Sequence, residues 1–186
     1  MKRIFDIFTG TVFLVLLVVP MFLIFVSIYI SSGGPALYWS DRVGKNNKIF
    51  KMPKFRSMLV DVPDVATHLL DNPGAYLSPI GGFLRSTSLD ELPQLFSVIK
   101  GDMSIVGPRP ALYTQDDLIA LRIEKGVDKL LPGITGWAQV NGRDELSIFD
   151  KVALDEEDLN RRSFWFDMKI LWLTFLKVVK REGVSH

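Results

Sequence analysis

Polar and apolar positions divide this chain into one long apolar block, a middle where short apolar runs alternate with turn residues, and a final amphipathic stretch. From Ile7 to Ile30 about 24 consecutive residues are uncharged and overwhelmingly apolar, long enough to cross a bilayer as a helix, with Pro20 near the middle. After the Ser31-Ser32-Gly33-Gly34-Pro35 breaker, Ala36–Trp39 and Ile49–Met58 read as short strands joined by a turn at Gly44 to Asn47. Residues 59–82 carry Pro63, Pro73, Pro79 and several glycines and read as a helix fragment plus loop. Leu95–Lys100, Thr114–Lys129 and Asp150–Arg162 have helical composition, whereas Gly136–Val140 reads as a strand ending in the hairpin-turn pair Asn141-Gly142. The last stretch, SFWFDMKILWLTFLKVVKR from Ser163, is too short and too interrupted by Asp167 and Lys169 to span a membrane. Its aromatic and aliphatic face, with Lys177, Lys180 and Arg181 among the cations, suits a helix lying on an anionic membrane surface, although a core helix of a soluble domain has the same pattern.

Charge adds a topological constraint. Lys2 and Arg3 precede the apolar run, and Arg42, Lys45, Lys48, Lys51, Lys54 and Arg56 follow it with Asp41 as the sole acid among them. Basic flanks stay on the cytoplasmic side, so both ends ask for the same side. A single-pass anchor with a tolerated proline kink and a bent helix that enters one leaflet and returns both remain open. A secretory signal fits less well, because the run exceeds the usual ~7–15-residue apolar core and no A-x-A-like site follows. Asp6 lies three to four residues beyond Lys2 and Arg3, a spacing that allows a helical ion pair.

The remaining chain, roughly 150 residues, is the length of one domain with its own core. The chain holds 22 basic and 21 acidic residues, a net charge of +1, which marks no nucleic-acid footprint. It has no cysteine, which removes disulfides, Cys-ligated zinc and a thiol nucleophile together. His68 and His186 are the only histidines, so chemistry falls to carboxylates, Lys, Arg and hydroxyls.

The densest candidate segment is STSLDELPQLFSVIKGDMSIVGPRP, Ser86 to Pro110. Adjacent helical residues point about 100° apart, so Asp90 and Glu91 share one site only near a helix start or distortion, which Pro93 supplies. Ser88-Leu89-Asp90-Glu91 also matches a capping box, so the pair serves equally well as a helix start without chemistry. In Gly107-Pro108-Arg109-Pro110 the two prolines stiffen the backbone around a guanidinium, an arrangement suited to a diphosphate or to a plain surface turn. Arg85 and Arg143 are further candidate anion contacts. Gly44-Lys45-Asn46 lacks the rest of a P-loop and no G-x-G-x-x-G occurs.

Taken in order, the proline-containing apolar segment, KIFKMPKFRSM, LRSTSLDELPQLFSVIKGDMSIVGPRP, PGITGWAQVNGR and FDMKILWLTFLKVVKR resemble the small monotopic phosphoglycosyl transferases of the bacterial sugar transferase family. The resemblance covers nearly the whole chain apart from residues 59–80. It implies a compact α/β fold: a proline-broken re-entrant helix over residues 1–32, then a cytoplasmic interfacial catalytic domain over 33–186 with short strands and amphipathic helices. It also implies transfer of a sugar 1-phosphate from a UDP-sugar to undecaprenyl phosphate at the cytoplasmic face of the bacterial inner membrane, with release of UMP. Carried over residue by residue, Asp90 is the nucleophile and a ligand of Mg²⁺, Glu91 its partner, and Arg109 between Pro108 and Pro110 a nucleotide contact, with Arg85 and Arg143 as further substrate contacts. The implied partners are inner-membrane lipids and downstream glycosyltransferases, and no nucleic acid. One departure is local: many members carry Ser-Pro at the helix break, whereas Val19 precedes Pro20 here. A glycosyltransferase that releases UDP and a non-catalytic membrane adaptor are the competing readings. The donor stays open among N,N-diacetylbacillosamine, GalNAc, GlcNAc and galactose.

Overall fold

The structure, a computed structural model, describes residues 1–60, 73–142 and 145–180, with side chains as far as residue 178. Helix α1 (Lys2–Ser32) covers the apolar block without interruption and includes Pro20. Its 31 residues measure about 46 Å at 1.5 Å per residue. Gly33, in the left-handed region at φ 61°, ends it. Only 11% of its most apolar 18-residue window is buried, so α1 is not a soluble core helix; its surface calls for an apolar surrounding.

Strands β1 (Leu37–Val43) and β2 (Ile49–Phe55) form an antiparallel hairpin around a 3₁₀ turn at Lys45–Asn47. The expected first strand is longer, and the second ends earlier, than composition predicts. Helix α2 (Gly81–Ser86) leads through a 3₁₀ turn at Leu89–Glu91 into α3 (Gln94–Lys100). Strand β3 (Ser104–Val106) follows, then β4 (Ala111–Leu112), which pairs antiparallel with β1 to give the order β2-β1-β4. After α4 (Asp116–Glu124), strand β5 (Gly133–Thr135) pairs parallel with β3. Helices α5 (Trp137–Val140), α6 (Ile148–Arg161) and α7 (Phe164–Lys180) are the last of the described elements. The fold is therefore mixed helix and sheet, with two small sheets.

The segment expected as a strand at Gly136–Val140 is a helical turn, and the strand lies just before it. β3 supplies a parallel partner only for Gly133–Thr135, and the Asn141 amide donates back to Trp137 O at 2.8 Å, closing the turn that a hairpin would have opened. The close approach of these strands depends on glycine. A Cβ on Gly133 would collide with Gly107 N, and one on Gly136 with the Gly107 carbonyl.

The largest buried cluster joins Met52, Leu95, Val98, Ile105, Phe166 and Ile170. Leu14 and Leu17 of α1 pack against it, while Met21 and Ile28 enter a second cluster with Ala36, Phe55 and Leu84. The N-terminal turn of α1 is held by polar contacts instead. Lys2 Nζ pairs with Asp167 at 2.7 Å, and Arg3 donates to Val98 O and Ile99 O at 2.6 and 2.7 Å, satisfying carbonyls of the last turn of α3. Buried Asp6 accepts from Ser104 Oγ at 2.9 Å and Ile105 N at 3.1 Å. The ion pair expected of Asp6 with Lys2 and Arg3 is thus replaced by three separate ties to α7, α3 and β3, because packing α1 against the domain offers stronger partners than its own helix face.

Candidate active site

Asp90 and Glu91 lie in the 3₁₀ turn between α2 and α3. Ser88 begins that turn with φ 55°, in the left-handed region, and makes no side-chain cap. The capping-box reading therefore fails: a Ser88 cap requires extended backbone, which this residue does not have. Pro93 sits at the entry to α3, where its missing N–H costs little. The distortion is what lets neighbouring carboxylates face one site.

Lys54 on β2 pairs with Glu91 Oε1 at 2.9 Å, and Arg109 Nη1 reaches the same oxygen at 3.4 Å. Arg85, in the last turn of α2, donates from Nε to Ser57 Oγ at 3.0 Å. Asp90 is buried at 8% exposure within this group. Burial pushes its carboxyl above the usual range; Lys54 opposes the rise, Glu91 adds to it, and Arg85 and Arg109 oppose it. One poorly hydrated carboxylate thus sits among three cations and a second carboxylate. Such a cluster attracts a polyanion and holds an oxygen nucleophile beside it.

The Pro108-Arg109-Pro110 segment is fixed at three successive carbonyls. Gly133 N donates to Pro108 O at 2.8 Å, Arg122 Nη1 to Arg109 O at 2.9 Å, and Arg42 Nη1 to Pro110 O at 3.3 Å. Arg122 is held in turn by Asp155 on α6, at 3.0 Å from Nε and 2.6 Å from Nη2. Burial raises the Asp155 carboxyl and Arg122 opposes that rise. Both prolines are buried behind the site, while the Arg109 side chain is half-buried at its edge.

The structure therefore gathers Asp90, Glu91, Arg85 and Arg109, with Pro108 and Pro110 as backbone supports. Arg143 lies outside the described residues. Lys54 was not singled out as a site residue by sequence; its signal was the alternation in KIFKMPKF, which turns Lys54 to the same face as the buried Met52 in β2. Arg122 and Asp155, 33 positions apart, carry no local signature.

A cavity of about 630 Å³ adjoins the group, with Glu91 and Arg109 in its wall beside Ser86, Thr87 and Ser88. Much of the remaining lining is apolar and comes from α1, α3, β3 and α7.

Comparison with known proteins matches residues 1–181 to the bacterial sugar transferase family model. The chain is 42% identical over 197 aligned residues to an undecaprenyl-phosphate glucose phosphotransferase of Komagataeibacter xylinus, covering all of this chain and 36% of that protein. It is 37% identical to an undecaprenyl-phosphate galactose phosphotransferase of Salmonella typhimurium, covering 98% of this chain and 41% of the relative. The chain thus spans well under half the length of these two proteins. Against the uncharacterized sugar transferase EpsL of Bacillus subtilis it is 40% identical, and the match covers all of this chain and 91% of the other. With nearly every residue inside the family model and a relative aligned over 91% of its own length, this chain belongs to the bacterial sugar transferase family.

Proposed function

We propose that this protein moves a sugar 1-phosphate from a UDP-sugar to undecaprenyl phosphate and releases UMP, with Asp90 as the covalent carrier. The observation that carries the reading is the buried Asp90 carboxyl set among Lys54, Arg85 and Arg109 beside Glu91. An Asp90 oxygen attacks the phosphorus that bears the sugar; the diphosphate P–O bond breaks, and UMP leaves with its electron pair. A phosphate oxygen of the acceptor then attacks the same phosphorus, and the Asp90 carboxylate leaves. The cations stabilise charge on the phosphoryl oxygens, with Arg109 on its pinned backbone at fixed aim.

Among the described residues no group of three or more His, Asp or Glu gathers as a metal cage. Mg²⁺ in phosphoryl-transfer sites takes one or two carboxylates together with substrate phosphates and water, which Asp90 with Glu91 beside it fits. When bound, the ion would neutralise diphosphate charge. Two relatives are named for glucose and galactose transfer, so these two sugars are the first to try in a donor panel.

The proposed location is the cytoplasmic face of the bacterial inner membrane, with α1 re-entrant. Support comes from its two ends: Lys2, Arg3 and Asp6 bind the same domain that buries Ile28. A spanning helix would carry its N-terminus about 30 Å away across the hydrocarbon. The lipid diphosphate sugar so formed is a substrate for downstream glycosyltransferases. Nucleotide analysis of turnover with UDP-glucose or UDP-galactose tests the reaction. UMP as product is expected; UDP would establish the glycosyl-transfer alternative, and no turnover across a full donor panel the adaptor.

A further inference from the structure

The cavity beside Glu91 poses a chemical mismatch with a nucleotide sugar. Most of its wall surface is apolar, from Phe13 and Leu17 of α1, Leu171 and Val178 of α7 and their neighbours, and its charged members are Glu91, Arg109 and Lys177. A UDP-sugar is rich in hydroxyls, and each one buried against an apolar wall without a partner costs about 1–3 kcal/mol. A long-chain lipid phosphate has the opposite needs: apolar walls for the chain and cations for one head group.

Lys177 supplies a cation in the cavity wall. It lies on α7 in the cavity wall next to Thr174, itself half-buried, and no carboxylate among the described residues pairs with it. The contrast with Lys169, one face round the same helix, is informative, since that ammonium rests over the Trp137 ring at 5.1 Å. A charge left half-buried without a protein anion is costly unless something else supplies one. The cavity's edge also faces lipid. Phe13 and Val178 line it yet are 47% and 59% exposed, on the two helices whose outer faces carry bare apolar side chains. A lipid can therefore enter laterally between α1 and α7.

We infer that the apolar part of this cavity is the seat of the acceptor lipid phosphate, its chain lying between α1 and α7 and its phosphate held by Lys177. The assignment rests on the transfer reaction proposed above. Lys177→Gln should leave the release of UMP from donor alone at the wild-type level, and should raise the KM for polyprenyl phosphate roughly 10–100-fold, the value of one charge-assisted contact. Lys177→Arg should restore it. Leu171→Trp, which fills the apolar part, should likewise raise acceptor KM without affecting donor-only UMP release.

Binding of farnesyl phosphate to the protein in detergent micelles gives a readout without turnover. Lys177→Gln should weaken it by a similar factor, and inorganic phosphate at equal concentration should not compete. Wild-type acceptor KM and farnesyl phosphate affinity in Lys177→Gln would overturn the assignment, as would loss of donor-only UMP release in Leu171→Trp, which would make the cavity the donor's. Absence of UMP release by the wild-type protein would instead refute the transfer reaction itself.

Discussion

Arg109 has its carbonyl fixed by Arg122 and its guanidinium 3.4 Å from Glu91, so the side chain projects toward the site from an immobile backbone. Arg109→Lys keeps the charge but loses the planar fork, and a fall in donor kcat/KM on the order of 10–100-fold is expected with little change in folding. Steady-state kinetics with varied donor check this, and wild-type values would return Arg109 to a turn residue. Asp90, Glu91 and Arg109 stood out in the sequence through the prolines beside them and the family resemblance, whereas their local pattern alone left capping and a plain turn open. Lys54 did not stand out, because its 2.9 Å contact with Glu91 exists only once β2 packs against the turn that follows α2. The capping reading of Ser88 failed because its backbone lies in the left-handed region, which no local pattern announces.

The elements behind the site have their own chemistry. Arg122 on α4 links Asp155 on α6 to the Arg109 carbonyl, so Arg122→Lys, which cannot serve both partners, should raise donor KM about 10-fold while acceptor KM stays near wild type. Equal change in both KM values, or in neither, would deny it a positioning role. Helices α6 and α7 bring buried Asp158 toward Asp167, Asp155, Arg162 and Lys2. Burial lifts its carboxyl from 3.8 to about 6, with Arg162 and Lys2 opposing the rise and the two aspartates assisting. A folded-state value above the unfolded one means that its stabilising contribution is complete below about 3.8 and is lost as pH rises through about 6. Asp158→Asn should therefore gain stability on the wild type between pH 5 and 7.5, by at most about 1.5 kcal/mol. Thermal unfolding in micelles at those two pH values measures the gap; a constant gap contradicts it. Helices α3, α4 and α6 were readable from apolar periodicity and composition. The strand at β5 was not, since three residues gain strand geometry only from β3, and β3 itself is three residues long.

On the scale of the whole molecule, the apolar block announced a membrane element, whereas its docking could not be read from the sequence: the ties of Lys2 to Asp167 and Asp6 to Ser104 join positions 165 and 98 residues apart. Those ties give the topology a direct consequence. A cysteine inserted after Met1 and, separately, Lys45→Cys should both resist a membrane-impermeant thiol reagent in intact spheroplasts and both react after lysis. Labelling of either from outside would mean a spanning helix. The same docking joins α1 to the elements flanking Asp90, the arrangement that the proposed reaction needs if a water-soluble donor and a membrane-held acceptor are to meet at one buried carboxyl. That covalent hand-over is the centre of the account, and intact-protein mass spectrometry tests it most directly. Protein incubated with Mg²⁺ and its UDP-sugar, without polyprenyl phosphate, should gain the mass of one sugar phosphate on the peptide containing Asp90, lose it when acceptor is added, and gain nothing as the folded Asp90→Asn variant. Turnover with UMP release by Asp90→Asn, or an adduct on another residue, would contradict it.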